Sequence, residues 1–205
     1  MYIPPAFAEN DPAELRVIMR AASLPILVSP TAQGLIATHL PLTFEEPDRL
    51  VGHVARANPH WRDFTPDADS LAIFTAVDGY ISPSWYPTKA ATGKVVPTWN
   101  YTAVHATGRL EIIEDPAALR DIVTALTERY EAGREKPWGV SDAPADYIAA
   151  MLKGIVGLVL HVTKLEGKAK LSQNKSRADQ EGAAAGAAAE NPALAAAMRR
   201  RPGGK

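Results

Sequence analysis

The segment from Ile81 to His105, ISPSWYPTKAATGKVVPTWNYTAVH, gathers residues able to grip a ligand: Trp85, Tyr86, Lys89, Lys94, Trp99, Asn100, Tyr101 and His105, interleaved with Pro83, Pro87 and Pro97. A strand that needed only to bury one face would alternate apolar and polar residues and avoid Pro97, which removes a ladder donor. Large rings with polar tips, set beside short polar groups, suit a planar and partly polar ligand. Further polar clusters recur along the chain: Thr38, His39 and Pro41; Gly52, His53, Arg56 and Asn58; Lys170, Ser172, Gln173, Asn174 and Lys175. Brought to one cleft, arginine and lysine would meet a phosphate, hydroxyls and amides a polar ring edge, and aromatics a flat face. Taken one at a time, such residues have plainer roles. His161 reads as a satisfied core residue in an apolar strand, His60 and Trp61 as the cap of a turn, and Lys164, Lys168, Lys170 and Lys175 as a solvated face.

Other chemistries find less support. The chain has no cysteine, so disulfides, thiolate metal sites and cysteine nucleophiles are excluded. Its five histidines have no acid at ligand spacing, so no metal site is expected. Ser82 and Ser84 sit in no nucleophile-elbow pattern, and neither GxGxxG nor a Walker loop occurs. A net charge of −1 gives no overall attraction to nucleic acid. The opening MYIPPAFAEN lacks the basic flank and apolar run of a signal peptide, and no apolar stretch reaches membrane-spanning length. A cytoplasmic protein with no membrane partner is expected.

These side chains need a scaffold. Asp11, Pro12 and Glu14 predict a helix start, with an aspartate cap and proline at the first position, running to about Ala22 with Leu15, Ile18 and Met19 buried. Leu24 to Ser29 reads as a strand that turns through Pro30 to Gly34 into LIATHLPLTF, a hairpin. Arg49 to Arg56 is the next strand, with Gly52 marking a bulge or a close approach to the backbone. Ser70 to Val77 is an apolar strand ending in a turn at Asp78 and Gly79, and Val96 to Ile113 is one long bent strand interrupted at Gly108. Asp115 and Pro116 start the strongest helix, with Leu119, Ile122, Val123, Leu126 and Tyr130 on its apolar stripe and Gly133 as its end. A shorter helix follows Pro144, its apolar side formed by Tyr147, Ile148, Met151 and Leu152. Gly154 to Gly167, apolar on both faces, is the last strand. Residues 1–178 then form one domain, and residues 179–205 an alanine-rich tail with one weak helix after Pro192 and a frayed end. Six or seven mostly consecutive strands with about three helices make an α+β domain on a small antiparallel barrel.

A set of longer motifs points to a family: MYIPPAF at the start, ATHLP at Ala37 to Pro41, GHVARANPHW at Gly52 to Trp61, YISPSWY at Tyr80 to Tyr86, VPTWNYTAVHATG at Val96 to Gly108, and EGKAKLSQNK at Glu166 to Lys175. Across residues 1 to 180 the chain resembles the PaiB-like FMN-binding proteins, often labelled negative transcriptional regulators, of the PNPOx-like flavin-binding group. The resemblance implies an α+β split antiparallel β-barrel with peripheral helices, in a cytoplasmic bacterial homodimer that binds FMN at the subunit interface. By the same analogy Thr38 and His39 lie beside the flavin ring, and His53, Arg56 and Asn58 contact its phosphate and ribose. Trp99, Asn100 and Tyr101 would line the ring or ribitol, while Lys170, Ser172, Gln173 and Asn174 reach across from the other subunit. Function stays open between a flavin-dependent regulator and a flavin oxidoreductase acting on a small molecule at the exposed ring. A flavin-free dimer holding another ligand, haem included, is a third reading. No recognition helix is visible for DNA, to which the C-terminal arginines offer only non-specific phosphate contact.

Overall fold

The computed structural model describes residues 1–201. In chain order its elements are β1 (Ala8–Glu9), α1 (Pro12–Ala21), β2 (Ile26–Thr31), β3 (Gly34–His39), β4 (Thr43–Glu45), β5 (Arg49–Ala55), α2 (His60–Asp63), β6 (Ser70–Ile81), α3 (Pro87–Thr92), β7 (Thr98–Ile113), α4 (Pro116–Glu131), α5 (Ala145–Leu152), β8 (Ile155–Lys170), α6 (Arg177–Ala187) and α7 (Pro192–Arg200). The strands form one sheet in the order β3-β2-β6-β7-β8-β5-β4, and β1 pairs with β8. The registered pairs are antiparallel. The chain divides into two compact units: a first of Met1–Ala22, Phe74–His105 and Glu166–Lys205, and a second of Ser23–Ile73 and Ala106–Leu165.

In the second unit the expected hairpin forms, with β2 and β3 paired from Ile26↔His39 to Thr31↔Gly34. Gly52 marks a close approach, because a Cβ there would meet the Pro41 carbonyl oxygen at 2.5 Å. Gly108 does not interrupt β7; it lets the strand press against the backbone of His161, where any side chain would collide. Asp115 caps α4 by accepting from the Ala118 amide at 2.9 Å, and Leu119, Val140, Ile148 and Leu152 make a small core beneath the helices. The apolar stripes of α4 and α5 are only partly covered. On α5, Ile148 and Leu152 are buried, whereas Tyr147 and Met151 stay 55% and 51% exposed.

In the first unit α1 forms as its cap predicts, with Asp11 accepting from the Ala13 amide and Leu15, Ile18 and Met19 buried. The turn expected at Asp78 and Gly79 is absent, and β6 runs straight on to Ile81. The reason is tertiary. Leu194 packs so close to Gly79 that a Cβ would sit 2.8 Å from it, and the Asp78 carbonyl accepts from Asn191 at 2.8 Å.

The alanine-rich region holds two helices where the sequence predicts one. Ala183, Ala184, Ala187, Ala195 and Ala197 are buried beside Ile81, Tyr86 and Leu171. Alanine buries little area, but it allows close contact: Gly182 and Gly186 sit against Trp85 with no room for a side chain. Polar caps complete the arrangement. Ser176 accepts from the Asp179 amide, Asn191 from the Leu194 amide, and the Gln180 amide donates to the carbonyls of Leu171, Met198 and Arg201. The frayed end expected at 202–205 lies outside the described residues.

Candidate functional site

Each unit holds one neighbourhood rich in the polar residues singled out from sequence. In the second unit, β3 and the turn before α2 bring Thr38, Asn58 and His60 together. The Thr38 hydroxyl accepts from Asn58 Nδ2 at 3.3 Å and lies 2.9 Å from His60 Nδ1. His60 Nε2 meets the Ser29 hydroxyl at 2.8 Å, which meets Ser70 at 2.7 Å, and the Asn58 carbonyl oxygen accepts from the His60 amide at 3.0 Å. His60 is therefore a fully buried tie between β2, β3 and α2, rather than the cap of a turn. Burial holds its pKa below the ordinary imidazole value, so the ring is neutral and one nitrogen accepts while the other donates. His39, at the end of β3, is exposed.

Two other predicted contacts lie in the same unit. Each guanidinium nitrogen of Arg56 has a local partner: Nε donates to the Lys153 carbonyl at 2.9 Å, Nη2 to the Ile155 carbonyl at 3.2 Å, and Nη1 to Glu114 at 2.6 Å. Its side chain also lies 5.6 Å from the centre of the Trp61 ring, which Arg62 covers at 4.4 Å. His53, on β5, has a buried Nδ1 with no hydrogen-bond partner among the described residues, and burial lowers its pKa. His161 departs from the core role: its side chain is 46% exposed and bonds Glu111 at 2.6 Å.

In the first unit, β7, β8 and the N-terminal segment build a cationic ledge. Lys168 is only 7% exposed. Its ammonium lies 5.5 Å from the Tyr2 ring centre and 5.2 Å from that of Tyr101, and donates to the Tyr2 carbonyl at 3.0 Å. Lys170 donates to the Thr98 hydroxyl and to the Trp99 carbonyl. Desolvation first, and then the charges of Lys168 and Lys175, depress the Lys170 pKa against an opposing effect of Tyr101. His105 lies on the same strand, its pKa lowered by burial and by the N-terminal amine, with Glu166 opposing.

The turn after β8 closes this ledge. Asn100, fully buried, donates to the Ser172 hydroxyl at 2.9 Å and holds Ser172 at φ 64°, an uncommon conformation for a side-chain-bearing residue. Gln173 knits the turn by accepting from the Leu171 amide at 2.7 Å and donating to the Ala169 carbonyl, and Asn174 is exposed. Tyr86 is buried, its hydroxyl has no partner at full hydrogen-bond geometry among the described residues, and burial raises its pKa against an opposing effect of nearby Ser172. Trp99 is half exposed, donates to Asp78 at 2.9 Å and meets Tyr80 edge-on with ring centres 6.4 Å apart. Of the C-terminal arginines, Arg201 pairs with buried Glu9.

The ledge thus joins Tyr101, Lys170 and the Thr98–Trp99 segment, with Asn100, Ser172 and Gln173 ordering the turn that follows, and adds Tyr2, which sequence reasoning passed over, and Lys168, which reads in the sequence as part of a solvated face and is buried instead. Both stand in the quoted motifs MYIPPAF and EGKAKLSQNK. Lysines at alternate positions of a strand look alike until the rings that cover one of them are known. No group of three or more metal-ligating side chains occurs among the described residues, and none of their helices is long and apolar enough to cross a membrane.

This donor set fits an anionic aromatic cofactor. Two ammonium groups carry six N–H donors, and the described residues accept from three of them. No carboxylate pairs with Lys168 among the described residues, although a buried cation ordinarily demands one.

Comparison with known proteins agrees. A family model described as "Putative FMN-binding domain" matches residues 1–164. Protease synthase and sporulation protein PAI 2 of Bacillus subtilis is 37% identical over 183 residues, spanning 87% of this chain and 85% of that one. An Aspergillus fumigatus protein is 31% identical over 231 residues, spanning 89% and 88%. Among solved structures, the flavocytochrome Anf3 from Azotobacter vinelandii superposes with a TM-score of 0.57 at 17% identity, over 80% of this chain and 69% of that one, a likeness of fold. The architecture is α+β, a split antiparallel β-barrel with peripheral helices.

Proposed function

The chain belongs to the FMN-binding domain family and its cofactor is FMN; from that premise we propose that it is a cytoplasmic, homodimeric flavoprotein of the PaiB-like type, a negative regulator whose output follows flavin occupancy or redox state, with the first unit gripping the cofactor. The observation that carries the grip is Lys168, an ammonium withdrawn from water, faced by two tyrosine rings and paired with no carboxylate among the described residues. An anion completes such a site by supplying the missing countercharge. Lys168 and Lys170 would hold the phosphate, Tyr101 and Trp99 would offer flat faces to the ring, and Asn100 would fix the Ser172 turn beside them. When bound, FMN supplies electron transfer at its ring. Thr38 and Asn58 bond each other and His60, and Arg56 bonds Glu114 and the nearby backbone, so their proposed part is to hold the second unit together.

A second reading, flavin oxidoreductase, draws support from the half-exposed rings of Tyr80 and Trp99, which leave an aromatic surface open to another flat molecule. Purified protein separates the readings. FMN titration of the cofactor-stripped chain should show saturable quenching of flavin fluorescence, and no quenching would end both. Anaerobic bleaching of the bound flavin by NADH or NADPH, with reoxidation by an added acceptor, would favour the enzyme. Gel shifts at rising salt, with and without FMN, test the regulator: direct regulation requires binding that survives moderate salt, depends on sequence and changes with flavin.

A further inference from the structure

We propose that the hollow between α4, α5 and β5 in the second unit binds a small, uncharged, flat molecule carrying one hydrogen-bonding group. The hollow measures about 280 Å³, and His53 lies in its wall beside Val140 and Ile148. Its rim is formed by Trp138, Tyr147 and Met151, which are 46%, 55% and 51% exposed and so present a cluster of large apolar side chains to solvent. None of the residues lining it carries a fixed charge, which disfavours an ionic ligand. A dry cavity of about 150 Å³ accommodates benzene, so this one has room for a fused bicycle and falls short of the roughly 300–1,000 Å³ used by drug-sized ligands.

The polar requirement comes from His53. Its Nδ1 is buried and lacks a partner among the described residues, a state that costs stability until something bonds it. That atom is closed to solvent in the free chain, so a ligand with one N–H or one ring nitrogen would meet it on a turn of the His53 ring, while its apolar body covers the rim. Burial keeps the imidazole neutral, which suits a neutral partner. The proposal is independent of the cofactor ledge, which lies in the first unit.

Indole is the probe, with indene as its hydrocarbon counterpart. Both are titrated into the full-length FMN-loaded chain and the FMN-free chain, and binding is followed by amide shifts in 15N-labelled protein. Saturable binding of indole is expected in both forms, with shifts centred on Val140, Ile148 and His53. Met151→Trp, a change at an exposed rim position, should weaken indole by about tenfold or more by filling the hollow. His53→Leu should weaken indole several-fold while leaving indene unchanged. Linear, unsaturated shifts would overturn the proposal, as would indifference to Met151→Trp. Displacement of indole by FMN would also overturn it, because the hollow would then be part of the cofactor site. So would dissociation of a dimer by Met151→Trp in sedimentation, because the rim would then be an interface between copies.

Discussion

His60 in the second unit and Lys168 in the first are both polar side chains withdrawn from solvent, at 0% and 7% exposure. Their surroundings differ in kind. His60 has a partner at each ring nitrogen, and those partners continue to Ser70 on one side and Asn58 on the other, so the network closes on itself. Among the described residues Lys168 keeps one carbonyl and two aromatic faces, without the carboxylate that a buried ammonium would normally recruit. A closed network holds strands in place; an incomplete one is where, on the proposed reading, the cofactor's charge would sit. Polar residues at strand ends looked equivalent in the sequence, and the completeness of their bonding separates them.

The sharpest way to break this contrast is to exchange the lysine. Lys168→Met keeps the length and the apolar stem between Tyr2 and Tyr101, so melting should be unchanged or slightly higher. FMN affinity should fall by roughly 10–100-fold, as expected for the loss of a charge-assisted bond of about 1.5–3 kcal/mol. Fluorescence titration and a thermal melt read both quantities. Unchanged affinity would remove the ledge from the cofactor site.

His60→Leu should show the opposite signature. Ser29 and Thr38 would lose a buried partner, at a cost of about 1–3 kcal/mol in denaturant unfolding, while FMN affinity stays within about threefold. A stable variant unable to bind FMN would reverse the two roles.

Acid sharpens the same comparison. His53, His60 and His105 all have folded pKa values lowered by burial, so below 6.5 the unfolded chain takes up protons that the folded chain refuses. Stability should therefore decline as pH falls below 6.5, by up to about 1.4 kcal/mol per pH unit for each imidazole kept neutral. His60→Gln should flatten part of that decline. A wild-type curve that is level from pH 7 to 5 would contradict a neutral His60.

The smallest expected effect lies away from both neighbourhoods. Asn191→Ala removes the cap of α7 and a bond to the Asp78 carbonyl. A loss of about 1 kcal/mol is expected, with FMN affinity untouched, and denaturant midpoints with the FMN titration check it.

Much of the fold was legible because local rules and tertiary packing agree there. Asp11 and Asp115 cap helices where their spacing says they should, and Gly52 sits where another backbone comes close. The failures share one cause, which is contact with a distant segment. Asp78-Gly79 reads as a turn until Leu194 and Asn191 arrive to straighten it. The alanines after Asp179 read as a poor core until Trp85 approaches the glycines among them. The aromatic half of the proposed site could be seen in VPTWNYTAVH. The lysine at its centre could not, because the approach of Tyr101 and of Tyr2, both far away in sequence, is what sets Lys168 apart from the other lysines of its strand.

A crystal structure of the FMN complex tests the ledge most directly. The flavin phosphate is predicted to lie within hydrogen-bond distance of the Lys168 or Lys170 ammonium, with Tyr101 or Trp99 against the ring. A flavin whose phosphate rests instead on Arg56 or His53, leaving Lys168 facing only Tyr2 and Tyr101, would contradict it.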